Sequence, residues 1–292
     1  MSSTVGKCAL CLQLKELCES HLLPKGNYRR LRGSSPQITN GELVHVSSGK
    51  AWFSSKELKR PLLCFDCEQR FSTHGEKYFH AMCLQADGRF PLWERLRLSG
   101  GDRQEMPTTV SYDSRRLAEP YPVDLGYFAL SIFWRASSIK WSASSDQRFE
   151  LPPEAKENLR QHLLGETALS DDIALFVNIL SENNHPLDLR YVAYTPVKLP
   201  DGPGLPEGTS FYEFVALGVH FGLLVGREVR FAHDLCFIHG QLHKIFVSDE
   251  LEDSLMNRLG NMLKNSSATG RLLYLSPAGI QRFRRRLLCG RQ

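Results

Sequence analysis

Two Cys-x-x-Cys pairs, Cys8/Cys11 and Cys64/Cys67, constrain this chain more than any other feature. Each pair places two thiolates on one tight turn, and two such turns brought together complete a four-cysteine tetrahedral site. The spacing predicts structural zinc held by Cys8, Cys11, Cys64 and Cys67. No strand–helix–strand pattern flanks either pair, which argues against thioredoxin-like redox chemistry. Eight cysteines in 292 residues do not read as a disulfide framework either. The other four, Cys18, Cys83, Cys236 and Cys289, are expected to be small buried apolar residues.

A hydrophobic content of 42% with 23% charged residues is ordinary for a soluble globular protein. No charged-then-apolar leader opens the sequence, and the longest apolar run, Phe214 to Gly226, is too short for a membrane span of about 20 residues. The expectation is a cytoplasmic protein with no membrane partner. Charge is uneven. Residues 1–100 carry 15 Lys/Arg against 9 Asp/Glu, a net +6, while the remainder is −2. That bias suits a phosphate-binding surface, and equally a solvated one.

The pattern divides into an N-terminal module, residues 1–100, and a mixed α/β domain, residues 101–292, with the break in the Gly-Gly and Pro stretch from Leu96 to Val110. Between the cysteine pairs, 52 residues rich in Ser, Gly and basic side chains read as an irregular loop with one short strand at "ELVHV". After Cys67, Phe71, Tyr78, Phe79 and Met82 form one apolar helical stripe, in which Gly75 is a weak point. At 100° per residue Glu68 lies within that stripe, whereas Glu76 and His80 fall on the far, solvated side. Helices are expected over "VDLGYFALSIFWRASSI", "LPPEAKENLRQHLLG", "DELEDSLMNRLGNML" and "SPAGIQRFRRRLL". Strand-like runs are "LRYVAYTPV", "FYEFVALGVHFGLLV" and a hairpin of "LCFIHG" with "LHKIFV". His239 and His243 lack a third ligand at metal spacing, and with His233 they read as structural. The basic C-terminal "RFRRRLLCGR" reads as exposed.

The order "CALC", "ELCESHLLP", "PLLCFDCEQRF" resembles the zinc-stapled HNH endonucleases, the ββα-metal nuclease fold, over roughly residues 7–80. It is also similar to a group of bacterial HNH-like proteins whose Ser-His-φ-φ-Pro and Cys-x-x-Cys-Glu motifs match Ser20, His21 and Glu68. The resemblance implies an α+β fold, a zinc-stabilised ββα-metal-like module followed by a mixed α/β domain that selects target or partner. It implies metal-dependent cleavage of phosphodiester bonds, with His21 as general base and Mg²⁺ or Mn²⁺ held by Glu68 with help from Ser20. Phage defence is a context it suggests. This chain has Ser20 where the family has a carboxylate, Lys59 in place of the middle Asn, and Glu68 in place of His or Asn.

Lys25, Arg29, Arg30 and Arg32, with Tyr28, form a basic run just after His21 that would grip a DNA or RNA backbone, or simply be a solvated loop. DNA is the expected partner, RNA a second, and a protein partner could dock on the C-terminal domain. The alternative is a non-catalytic zinc-stabilised module that binds nucleic acid or protein, with His21 a packed strand residue.

Overall fold

Three short strands and a helix form around the two cysteine pairs. In the computed structural model, β1 (Thr4–Lys7) pairs antiparallel with β2 (Leu14–His21), and β2 with β5 (Lys59–Cys64). The structure describes residues 4–34, 43–47, 50–54, 56–100, 109–117, 123–141, 149–180, 193–199, 206–227, 229–230, 232, 236–238, 243–248, 253–255 and 257–258. The register slips between Cys18/Glu19, which pair with Leu63 and Pro61, so Leu62 is an extra residue on β5. A proline is tolerated there because β5 is an edge strand beside a bulge. β5 runs directly into α2 (Phe65–Phe71), which packs on β2 and β5. The result is a strand–strand–helix unit with His21 at the end of its first strand.

The helix continues through a π-helical turn, Ser72–Glu76, into α3 (Lys77–Met82). Phe71, Tyr78, Phe79 and Met82 are all buried, as their spacing predicts. Gly75 lies within this π-helical turn, where the regular α-helical pattern is interrupted. A Cβ at this position would lie 2.9 Å from the backbone N and Cα of Phe128, so glycine permits the close approach of helix α5 (Val123–Ser138).

The segment between the cysteine pairs is not simply an irregular loop. Lys25–Ser34 forms helix α1, because Tyr28 and Leu31 bury one face while Pro24 precedes the first turn and accepts from the Asn27 amide. The expected strand at "ELVHV" is β3 (Leu43–Ser47), paired with β4 (Lys50–Ser54).

β3 and β4 lie at one edge of an eight-stranded sheet of order β4-β3-β8-β9-β10-β7-β11-β6. Its other members are β6 (Thr109–Asp113), β7 (Ile173–Ile179), β8 (Ala193–Lys198), β9 (Ser210–Ala216), β10 (Val219–Val225) and β11 (Lys244–Ser248). β3–β8 and β11–β7 are parallel pairs and the rest antiparallel. The two expected portions of the chain therefore share this sheet, and one buried cluster runs from Leu10 and Phe71 to Phe214 and Phe221.

The run "FYEFVALGVHFGLLV" is a hairpin, not one strand. Leu217 and Gly218 both have positive φ, 46° and 84°, the turn that matches strand twist. Of the expected hairpin of "LCFIHG" with "LHKIFV", the described residues show the Lys244 amide donating to the Cys236 carbonyl at 3.3 Å, while Ile238 bridges Leu175 and β11 forms its ladders with β6 and β7. α5 is buried from Leu125 to Ser137 apart from half-buried Tyr127, a core helix with buried residues around its circumference. It lies between the small module and the large sheet, with Phe128 stacked on Phe79 at 3.8 Å and Phe133 against Phe214 at 4.9 Å. α4 (Pro91–Ser99) packs on α3, and α6 (Pro153–Leu164) on α5. α6 starts on prolines and ends at left-handed Gly165, as its sequence predicts. Of the next expected helix, residues 253–255 and 257–258 are helical; "SPAGIQRFRRRLL", the basic C-terminus, Cys289, His233 and His239 lie outside the described residues.

Candidate metal centre and histidine site

The four cysteines converge. Their sulfurs lie within 4.8 Å of one another, the only such group of three or more His, Cys, Asp or Glu among the described residues. The first pair sits on the turn between β1 and β2. There the Cys8 amide donates to the Gln13 carbonyl at 2.9 Å, and Leu12 takes a positive φ of 60°. The second pair brackets the start of α2, Cys64 being its N-cap residue. The Cys64 amide donates to Cys8 Sγ at 3.3 Å, and Cys11 Sγ lies 3.9 Å from Cys64 Sγ. Cys8, Cys64 and Cys67 are buried and Cys11 half-buried.

The arrangement favours thiolate at Cys8 and opposes it at Cys64 and Cys67. A hydrogen bond from Cys67 holds the Cys8 thiol well below its ordinary range, helped by backbone donors, and the same contact pushes Cys67 up. Lys15, paired with Asp66 at 2.8 Å, and Arg160 of α6 bring positive charge to the cluster. Arg160 also donates to the Leu10 carbonyl at 2.8 Å, tying the turn to the second half of the chain. Four soft sulfur donors at this spacing can hold a metal ion. Cys83 and Cys236 are buried and Cys18 is half-buried.

His21 ends β2 opposite Lys59. Its Nε2 lies 2.9 Å from Glu57 Oε2, and Glu57 Oε1 accepts from Arg32 Nη1 at 2.7 Å. Burial opposes the Glu57 charge, but the bonds from Arg32 and His21 outweigh it and hold the carboxyl below its usual value. Among the described residues nothing joins His21 directly to Glu68. Glu68 sits in the first turn of α2 with Oε1 buried and unpartnered among those residues. It lies near Cys18, whose thiol is pushed up by burial and then by the Glu68 charge. Ser20 is fully buried, and its hydroxyl accepts from the Leu63 amide at 3.1 Å, a tie between the two strands across the bulge.

Glu76 and His80 are not simply solvated, as the helical wheel predicts. α5 and α1 cover that side. Glu76 accepts from buried Arg135 at 2.5 Å, and His80 Nε2 lies 2.7 Å from Asn27 Oδ1. Burial, with Arg30 and Arg29 nearby, lowers the His80 pKa to about 4.

The basic run divides. Lys25 and Arg29 are exposed one helical turn apart and make no ion pair among the described residues. Arg30 donates to the His80 carbonyl at 3.0 Å and Arg32 is committed to Glu57. Tyr28 is buried, its hydroxyl accepting from the Leu58 amide.

Two constellations escape the sequence. Glu57, in the loop before β5, follows no motif. In the large sheet, buried Glu213 accepts from Tyr194 at 2.8 Å and from Arg258 through both carboxylate oxygens, and pairs with His220 at 3.2 Å. Asn178 holds the other nitrogen of His220 at 3.2 Å. Burial raises the Glu213 pKa less than these donors lower it, so a buried carboxylate is kept charged and saturated. His243 carries a positive φ of 41° and bonds the Phe237 carbonyl at 3.0 Å, in keeping with a structural role.

No helix among the described residues is long and apolar enough to cross a membrane. No family model, curated protein or solved structure matches the chain.

Proposed function

We propose that this chain is a metal-dependent phosphodiester hydrolase acting on DNA, built on a zinc-stapled strand–strand–helix unit. The supporting observation is that His21 ends the first strand with Nε2 held by Glu57 while Nδ1 has no hydrogen-bond partner among the described residues. A base needs that combination of a fixed ring and an available lone pair.

Zinc suits the cysteines. Zn–S bonds of about 2.3 Å in a tetrahedron separate the sulfurs by about 3.8 Å, and Cys11 and Cys64 lie 3.9 Å apart. The site is then a staple that keeps β2, β5 and α2 in register. A hard divalent cation, Mg²⁺ or Mn²⁺, suits Glu68, whose buried Oε1 is otherwise unpartnered. Bound there, it would neutralise charge developing on the phosphate. Ser20 serves as a strand tie, not a ligand. In the hydrolytic step a water oxygen bonds to phosphorus as its proton passes to His21 Nδ1; the ester P–O bond breaks and the leaving oxygen takes a proton from solvent. Lys25 and Arg29 on the exposed face of α1 would hold flanking phosphates.

The experiment is cleavage of plasmid DNA and RNA in Mg²⁺ or Mn²⁺ by wild type and His21→Ala. Loss of about 10²–10⁴-fold in the variant supports the reading; no metal-dependent cleavage by wild type, or equal cleavage by both, overturns it. One observation favours a zinc-stabilised binding module without catalysis: among the described residues no three-ligand group for a second cation lies near His21. In that case His21→Ala chiefly lowers stability.

A further inference from the structure

We propose that Glu57 is a positioning residue that locks His21 in the Nε2–H tautomer, leaving the lone pair on Nδ1. This rests on the reading of His21 as a base. A carboxylate can only accept, so His21 Nε2, 2.9 Å from Glu57 Oε2, must be the protonated nitrogen. The neutral ring then has its free lone pair on Nδ1.

Glu57 has little freedom to do otherwise. Its second oxygen accepts from Arg32 at 2.7 Å, and the backbone beside it is clamped, the Leu22 amide donating to the Leu58 carbonyl at 2.9 Å. The Leu58 amide in turn reaches the hydroxyl of buried Tyr28 on α1, whose ring lies 6.3 Å from that of His21. Strand β2, helix α1 and the loop before β5 thus meet at one imidazole. Arg32 already balances the carboxylate charge, so Glu57 orients the ring without requiring it to be charged.

Arg32 makes the arrangement testable, because a guanidinium only donates. In Glu57→Gln the amide oxygen must face Arg32, which turns the amide NH₂ toward His21 Nε2. That group now donates, Nε2 must accept, and the proton moves to Nδ1. A side chain of the same shape thereby removes the lone pair from the working nitrogen. Adding Arg32→Ala frees the amide to turn over and restores the original tautomer.

The test is ¹⁵N NMR of the full, zinc-loaded chain with labelled histidine, at about pH 8, above the ordinary histidine pKa near 6.5. The His21 signal is assigned by its loss in His21→Ala. Expected are Nε2–H in wild type, Nδ1–H in Glu57→Gln, and Nε2–H again in Glu57→Gln/Arg32→Ala. With the tautomer switch, kcat on DNA should fall by about 10²–10⁴-fold with KM little changed, and partly recover in the double variant. A proton on Nδ1 in wild type, an unchanged tautomer in Glu57→Gln, or a switch with unchanged kcat overturns the proposal. A switch in a chain that cleaves nothing leaves the Glu57 lock standing and removes the hydrolase reading instead.

Discussion

Arg135, near the C-terminal end of the central helix, donates through Nη1 to the backbone carbonyl of His21 at 3.2 Å. The two residues are 114 positions apart. The same guanidinium lies over the Phe71 ring at 4.7 Å and donates through Nη2 to Glu76. It is almost fully buried, so the end of β2 is held by a charge that cannot find water. Arg135→Ala should destabilise the fold by about 3–5 kcal/mol, because it strands the Glu76 carboxylate and the His21 carbonyl. Arg135→Lys should recover only part of this, since an ammonium lacks the fork that reaches both acceptors. Guanidinium unfolding midpoints of the two variants decide it; a wild-type midpoint in Arg135→Ala would remove the tie from any account of His21.

Removing one cysteine should unstitch the small module. Cys67→Ser takes a ligand from a site whose other members lie on β1–β2 and at the start of α2. Structural zinc contributes on the order of 10 kcal/mol to folding of small sites, so the module should lose both ion and packing. Metal analysis should give one zinc per wild-type chain and a large loss in the variant, with matching loss of near-UV dichroism. Full zinc retention in the variant would contradict a four-cysteine site.

His80 should make stability fall in mild acid. Its folded pKa is about 4 against an ordinary 6.5, with burial the main cause and Arg30 and Arg29 next. The unfolded chain therefore binds more protons between these values, and stability rises with pH across that window. The contribution is complete above pH 6.5 and is lost as pH falls toward about 4. At 1.36 kcal/mol per pKa unit, this amounts to about 3 kcal/mol. In His80→Gln the Gln amide can still donate to Asn27 Oδ1, so the drop in melting temperature between neutral and acid pH should shrink. An identical acid drop in variant and wild type would assign it to other groups.

Charge removal should separate the four basic residues of α1. Lys25→Ala/Arg29→Ala takes two exposed cations from the helix next to His21 and should weaken DNA binding alike for every sequence. It should flatten the dependence of log K on log salt by about 0.9 per lost contact, with the melting temperature unchanged. Arg30→Ala should instead lower the melting temperature, since Arg30 is bonded to the His80 carbonyl. An unchanged salt slope in the Lys25/Arg29 variant would leave α1 as a solvated helix.

What the sequence determined by itself is the local part of this protein. Cysteine spacing announced the four-cysteine cluster, because two residues on one turn have almost no other way to be arranged. The stripe from Phe71 to Met82 announced a buried helix face, and the prolines and Gly165 marked the ends of α6, since periodicity and backbone restriction act within a few residues. It placed Glu68 in a first helical turn for the same reason. Tertiary structure decided everything that depends on a distant partner. A helical wheel cannot know that α5 comes to lie on the side of Glu76, or that Gly75 is the point where Phe128 passes. Composition could not split the basic run into two exposed cations and two committed ones, because Arg30 and Arg32 are claimed by His80 and Glu57, 50 and 25 residues away. Glu57 itself has no signal in its neighbours; it acquires a role only when β2 and β5 pair and bring His21 within 2.9 Å. Backbone preference is set by adjacent residues, whereas the partner of a side chain is set by chain closure over tens of residues.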